Sequence, residues 1–152
     1  MMNIKEILEK AHCFGYEDGM WGYRLFQQAY SEPIELHIAG SEEAPFGTAL
    51  LTAQNALENI DRYLEGALRM LTHWLVDFDE SAYSFKCISI TDCLNCGYNA
   101  DKVRDEYQTD DFYFTWWGSS DDEDVWDIHV HFKKFSTSTE TYQPWSLSCH
   151  HA

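Results

Sequence analysis

The sequence predicts an α+β fold, in which one long amphipathic helix packs across an antiparallel sheet to form a two-layer domain. Apolar residues recur at three- and four-residue steps through the middle of the chain, and segments of strict alternation lie on both sides of it. Hydrophobic residues make up 45% of the 152 residues, enough for one substantial core. No linker rich in Pro, Gly or Ser divides the chain, so residues 1–152 are predicted to form a single domain.

The first third of the chain predicts a short helix followed by a hairpin. Residues 21–26 and 34–38 alternate as strands around a turn at 31–33, and residues 40–47 form a loop. Thr48 is the predicted N-cap of the next helix. The helix within residues 1–10 has one apolar side, formed by Ile4, Ile7, Leu8 and Ala11.

The segment from Thr48 to about Phe78 predicts the long helix. Its apolar residues form one stripe, and charged residues occupy the other side, so one face of the helix is expected to be buried. Gly66 marks a place where the helix could bend. The stripe consists of Leu50, Ala53, Leu57, Ile60, Leu64, Ala67, Leu71, Leu75 and Phe78.

The second half of the chain predicts four strands. Residues 112–117 and 126–132 alternate strictly around an acidic loop and are expected to pair antiparallel. A last strand at 142–149 contains Pro144, which favours the edge of a sheet. Residues 99–107 predict a short helix, and we expect no βαβ unit. In the first of the four strands, Tyr83, Phe85 and Cys87 alternate with Lys86 and Ile88.

The formal charge of −16 arises from 26 acidic and 10 basic residues. Such a surface repels nucleic acid and anionic membranes, and it accelerates association with a basic protein partner. Solubility alone is the alternative explanation. Residues 1–10 lack the apolar core of a signal peptide, and no apolar run approaches the roughly 20 residues of a membrane span, so we expect a cytoplasmic protein, monomeric or homodimeric.

The cysteines leave two interpretations open. Cys13, Cys87 and Cys149 are expected to be buried thiols rather than bridges. Cys93 and Cys96 have the spacing of half a zinc site, which Cys149, His150 and His151 could complete, so a metal-stabilised protein is the alternative function. The other interpretation is that Cys93 and Cys96 are ordinary loop thiols, and the leading prediction therefore includes no metal and no cofactor.

His129 and His131 lie two residues apart on a predicted strand, beside Asp127. Residues two apart share a face of a strand, so the two imidazoles could act as metal ligands or transfer a proton. The opposite face of this strand is apolar, which favours the simpler interpretation that the histidines occupy its wetter side.

An acidic loop beside exposed aromatic residues is the predicted partner-binding site. The loop lacks the alternating ligands and central glycine of an EF-hand, so it is not expected to bind calcium. A charged loop next to Trp117 would combine electrostatic steering with a buried anchor, although a solvated hairpin loop fits equally well. No nucleophile elbow, phosphate loop or HExxH helix is present, so we expect a protein without catalytic residues. The predicted partner-binding residues are Asp110, Asp111, Trp117, Asp121, Asp122, Glu123 and Asp124.

The first half of the chain resembles a group of small acidic bacterial domains of unknown function, some of which are immunity proteins of toxin systems. The resemblance is carried by the strand at Trp21, the Ile34–Ile38 strand, the Pro45 loop and the Ala56–Asp61 start of a continuing helix. It implies a stoichiometric inhibitor that covers the basic surface of a toxin. The acidic charge of the chain predicts a basic partner of this kind, either a toxin or a nucleic-acid-binding protein. The resemblance transfers no functional residue.

Overall fold

The computed structural model describes residues 2–25, 33–75, 78, 81, 83–90, 112–118, 126–133 and 142–151. Within them, three helices and seven strands follow one another along the chain. The helices are α1 (Ile4–Lys10), α2 (Gly47–Glu58) and α3 (Ile60–Trp74). The strands are β1 (His12–Glu17), β2 (Met20–Leu25), β3 (Ile34–Ala39), β4 (Tyr83–Ile90), β5 (Phe112–Gly118), β6 (Trp126–Lys133) and β7 (Gln143–His151).

The strands form one mixed sheet in which each strand lies beside its predecessor in the chain. Every neighbouring pair is antiparallel except β3 and β4, which run parallel. Helices α2 and α3 make the crossover between these two strands, as a parallel pair requires. The fold is therefore α+β as predicted, but the expectation of an antiparallel sheet without a βαβ unit is wrong at this junction.

Two helices occupy the segment that the apolar stripe predicts as one helix. Asn59 separates them, with φ −116° and ψ 21°. Its side-chain nitrogen donates a 3.0 Å hydrogen bond to the backbone carbonyl of Asn55, which also accepts the backbone N–H of Asn59 at 3.2 Å. Helix α3 passes through Gly66 and ends at Trp74, so the interruption lies at Asn59 rather than at Gly66.

Helix α2 begins at Gly47, one residue before the predicted N-cap Thr48. Its N-cap is Phe46, which makes no side-chain capping bond, so Thr48 is not the N-cap. The loop before it is closed by a β-bridge between Gly40 and Pro45, and the amide of Phe46 donates a 3.0 Å hydrogen bond to the carbonyl of Ala39. These bonds fix where the chain leaves the sheet, and thus where the helix can start.

The helices share one hydrophobic core against one face of the sheet. Tyr63 of α3 packs among aromatic residues of the later strands, with its ring centroid 5.3 Å from those of Phe112 and Phe132. Each buried ring removes a large apolar area from water, so this cluster stabilises the packing of α3 on β5 and β6. The described helices therefore form a layer on a single side of the sheet.

Strand β1 was not among the predicted elements. It pairs antiparallel with β2 across a two-residue turn, in which Asp18 has φ 52° and Gly19 has φ 83°. Two successive positive φ values are typical of a type I′ turn, for which Asp-Gly is a favoured sequence. The signal for this hairpin was thus present in the sequence.

The other predicted strands are confirmed. Strands β2 and β3 pair antiparallel as predicted, as do β5 and β6, and Pro144 lies in the edge strand β7. The predicted helix at 99–107 lies outside the described residues, as does most of the loop before β6. No helix in the described part of the chain is long and apolar enough to cross a membrane.

Candidate functional site on the polar face of the sheet

The central strands turn their alternate residues away from the helices and form a second face, here called the polar face. Lateral neighbours in a sheet lie on the same face, so the strand pairings define rows of side chains across it. One row consists of Glu35, Cys87, Thr115 and His129. The next row consists of His37, Ser89, Tyr113 and His131.

A bulge in β4 places Cys87 on the polar face. Phe85 and Cys87 pair with adjacent residues of β5, so Lys86 is an extra residue in β4. Regular alternation would put Phe85 and Cys87 on the same face, and Phe85 packs against the core. The predicted alternation of Tyr83, Phe85 and Cys87 is therefore wrong beyond Lys86.

Glu35, His37 and Cys87 bring a carboxylate, an imidazole and a thiol together. One potential ligand atom from each lies within 4.8 Å of the others. Oε2 of Glu35 is 3.1 Å from Nε2 of His37, and these two side chains are 27% and 33% exposed. Cys87 is buried, and its Sγ lies 3.6 Å from the hydroxyl oxygen of Ser89. Such a trio can bind a metal ion or transfer protons.

A groove of about 260 Å³ opens over this cluster. Buried Ser89 and Thr115 line it, and Trp117 is the exposed aromatic residue beside them. The described residues that line the groove include the carboxylates of Glu35 and Asp127 but no Lys or Arg. The groove therefore favours a cationic ligand.

His129 and His131 share the polar face, as their spacing predicts, but they do not share an environment. His131 is buried, and its Nε2 is 3.1 Å from the hydroxyl oxygen of Ser148 in β7. His129 is half-buried and stacks on Tyr113 with 4.9 Å between ring centroids. The interpretation that both histidines occupy a wet surface is wrong for His131, because β7 extends the sheet beside it.

Trp117 is the one predicted partner-binding residue that the structure describes. It lies near the end of β5, is 41% exposed and lines the groove together with Asp127. The other predicted members, Asp110, Asp111, Asp121, Asp122, Glu123 and Asp124, lie outside the described residues.

Cys13, Cys87 and Cys149 are free thiols. Only Cys87 is buried, whereas Cys13 and Cys149 are exposed because they lie in the two edge strands of the sheet. The expectation of three buried thiols is therefore wrong for two of them. Partial burial nevertheless raises the pKa of the Cys149 thiol above its ordinary value, because burial disfavours the charged thiolate.

The predicted zinc set of Cys93, Cys96, Cys149 and His150 stays a prediction. Cys93 and Cys96 lie outside the described residues, as does the side chain of His150. Cys149 pairs laterally with Ile128 in β6. It thus belongs to a different row from Cys87 and the polar-face cluster.

Sequence reasoning missed the Glu35–His37–Cys87 cluster. In the sequence, Glu35 and His37 stand out only as the polar positions of an alternating strand. A Glu-x-His pair on a strand is a local signal for two side chains on one face. Their approach to Cys87 depends on the parallel β3–β4 junction and on the bulge at Lys86, neither of which leaves a periodic signal.

Comparisons of the chain with protein-family models, with curated proteins and with solved structures find no match.

Proposed function

We propose that this chain is a small acidic protein-binding domain, an inhibitor of the immunity type, that covers a basic surface of a protein partner. The observation that carries the proposal is the formal charge of −16 on 152 residues. A charge of this size raises the rate of encounter with a basic protein and disfavours acidic partners. A toxin or nucleic-acid-binding protein has the basic surface that such a domain would cover.

The groove on the polar face supports the proposal with a place for contact. Glu35 and Asp127 supply negative charge there, and half-exposed Trp117 offers a large ring at its border. Interfaces commonly derive their affinity from a few aromatic anchors and their association rate from surrounding charge. An Arg or Lys side chain of a partner entering the groove would meet both features.

The experiment is a capture of binding partners from the host lysate, followed by kinetics with the purified partner. The parent is compared with Trp117→Ala and with a variant in which Asp121, Asp122, Glu123 and Asp124 are changed to Ser. We expect Trp117→Ala to accelerate dissociation and the acidic-loop variant to slow association. Raising the ionic strength from about 0.05 M to about 0.5 M should slow association of the parent, because screening shortens the reach of surface charge.

Matched controls separate the site from general effects. Trp74→Ala removes a tryptophan that is 70% exposed at the end of α3 and should leave binding unchanged. Changing Glu9, Glu42, Glu43 and Glu58 to Gln removes the same charge as the acidic-loop variant from exposed positions elsewhere. Equal slowing by both charge variants would mean that net charge, not the loop, steers the partner. An association rate that does not change with ionic strength would contradict the proposal.

A further inference from the structure

We propose that Glu35, His37 and Cys87 form a zinc-binding site on the polar face. Their ligand atoms come from two neighbouring parallel strands and lie within 4.8 Å of one another. The site is distinct from the Cys93–Cys96 set considered above, and it does not depend on the proposed partner.

The geometry requires little rearrangement. Ligand atoms around one tetrahedral zinc ion lie about 3.3–3.6 Å apart, as bond lengths of about 2.0–2.3 Å imply. Oε2 of Glu35 and Nε2 of His37 are already 3.1 Å apart. A small movement of the Cys87 side chain, which contacts Ser89 at 3.6 Å, would bring its sulfur to the same centre.

The donor set favours zinc over calcium and magnesium. Calcium and magnesium prefer oxygen ligands in larger number, whereas thiolate with imidazole and carboxylate suits zinc. A deprotonated Cys87, an ionised Glu35 and a neutral His37 together carry a charge of −2, which balances the ion. Binding would therefore release the thiol proton to solvent.

Strands β3 and β4 hold the backbone of the three ligands in place, and the groove leaves the other side of the site open to solvent. Glu35 and Cys87 are lateral partners in the sheet, and His37 lies two residues further along β3, so the backbone fixes all three ligands. The groove of about 260 Å³ above them leaves room for a water molecule as the fourth ligand. Three protein ligands with one exchangeable position is the arrangement of zinc sites that bind further ligands.

The test uses the full chain, purified without an affinity tag and stripped of metal with a chelator. Zn²⁺ is titrated against a chromophoric chelator, and Co²⁺ is used as a spectroscopic probe of the same site. We expect one tight site per chain and the near-ultraviolet charge-transfer absorption that a cobalt–thiolate bond produces. Cys87→Ser should abolish that absorption and weaken zinc binding by more than about 100-fold, since even loss of an outer-shell partner costs 10- to 100-fold.

Variants with intact folds identify the ligands. Glu35→Gln and His37→Ala should each weaken binding, while Cys13→Ser and Cys149→Ser remove exposed thiols and should not. Near-ultraviolet circular dichroism of the metal-free proteins shows whether Cys87→Ser folds, and Cys87→Ala serves as a second variant if it does not.

Two outcomes would overturn the site. One is a chain that binds no zinc in the titration. The other is binding that persists in Cys87→Ser and disappears when Cys93 and Cys96 are both changed to Ser, which would assign the metal to the Cys-x-x-Cys set. Because the titration contains no protein partner, and partner binding can be measured in excess chelator, failure of either proposal leaves the other testable.

Discussion

The hydroxyl of Tyr63 in α3 donates a 2.6 Å hydrogen bond to the side-chain oxygen of Asn55 in α2. The bond joins the two helices across the interruption at Asn59. Tyr63→Phe removes it and keeps the ring among its aromatic neighbours, so we expect the free energy of unfolding to fall by about 1 kcal/mol. Urea denaturation measures the change. An unchanged midpoint would show that ring packing alone joins these helices.

A pair of identical substitutions tests how far burial governs stability. Leu71 of α3 is fully buried, whereas Leu51 of α2 is 68% exposed. Leu71→Ala should lower the free energy of unfolding by about 2–5 kcal/mol, because it removes buried methyl groups and leaves a cavity. Leu51→Ala should change it by less than about 0.5 kcal/mol. Thermal and urea unfolding measure both changes. A similar fall in the free energy of unfolding at both sites would mean that the Leu51 side chain is buried in solution.

Alanine in place of two glycines should have opposite effects. A Cβ at Gly40 would lie 2.5 Å from the Ala44 carbonyl oxygen and 2.7 Å from Cα of Pro45, so backbone must move, at a cost of about 1–3 kcal/mol. A Cβ at Gly66 would lie 3.6 Å from Cγ of Pro144, an ordinary contact. Alanine also favours the helix there, so Gly66→Ala should stabilise by about 0.5–1 kcal/mol. Denaturation midpoints that shift in the same direction would contradict this.

Tyr23 should make the fold sensitive to alkali. Burial, and secondarily the nearby charge of Cys13, raise the pKa of its phenol above the ordinary value. The unfolded chain then releases this proton first as pH rises, so the contribution of Tyr23 to stability is complete below pH about 10 and is lost as pH increases through the folded-state pKa. Tyr23→Phe should therefore lose less stability than the parent in this range.

Unfolding measured from pH 8 upward checks the alkaline effect, and Cys13 offers a graded control. Because burial is the larger cause, Cys13→Ser should reduce the alkaline loss only in part. Parallel pH profiles for the parent and Tyr23→Phe would contradict the assignment.

The sequence predicted six of the seven described strands but not the parallel pairing of β3 with β4. Strict alternation identifies β5 and β6, because one face of that pair is fully buried around Phe114 and Val130. The apolar stripe, in contrast, continues through Asn59, so periodicity alone could not place the break between α2 and α3. The break lies at Asn59, whose backbone leaves the helical conformation with ψ 21°.

The sequence predicts that Glu35 and His37 share a face of the sheet, but it does not predict that Cys87 lies beside them. Glu35 and His37 alternate with apolar residues, and that pattern assigns them to one face. Their proximity to Cys87 depends on a parallel pairing between strands separated by two helices, and on the one-residue bulge at Lys86. Both features are set by tertiary packing, which a single sequence expresses only through weak local preferences.

The sequential order of the strands has a consequence for folding kinetics. Strands β1, β2 and β3 pair with one another in chain order, and strands β4 to β7 do the same. Each of these two groups of strands can therefore form through contacts between successive strands. Only the β3–β4 ladder, with partners such as Leu36 and Ile88, closes a loop that contains both longer helices. Closing this loop costs conformational entropy before the contacts between the two strands form. We therefore expect the β3–β4 pairing to limit the rate of folding. The proposed zinc ligands Glu35 and Cys87 lie on the two strands of that ladder, so bound metal would stabilise the contact that we expect to limit the rate of folding.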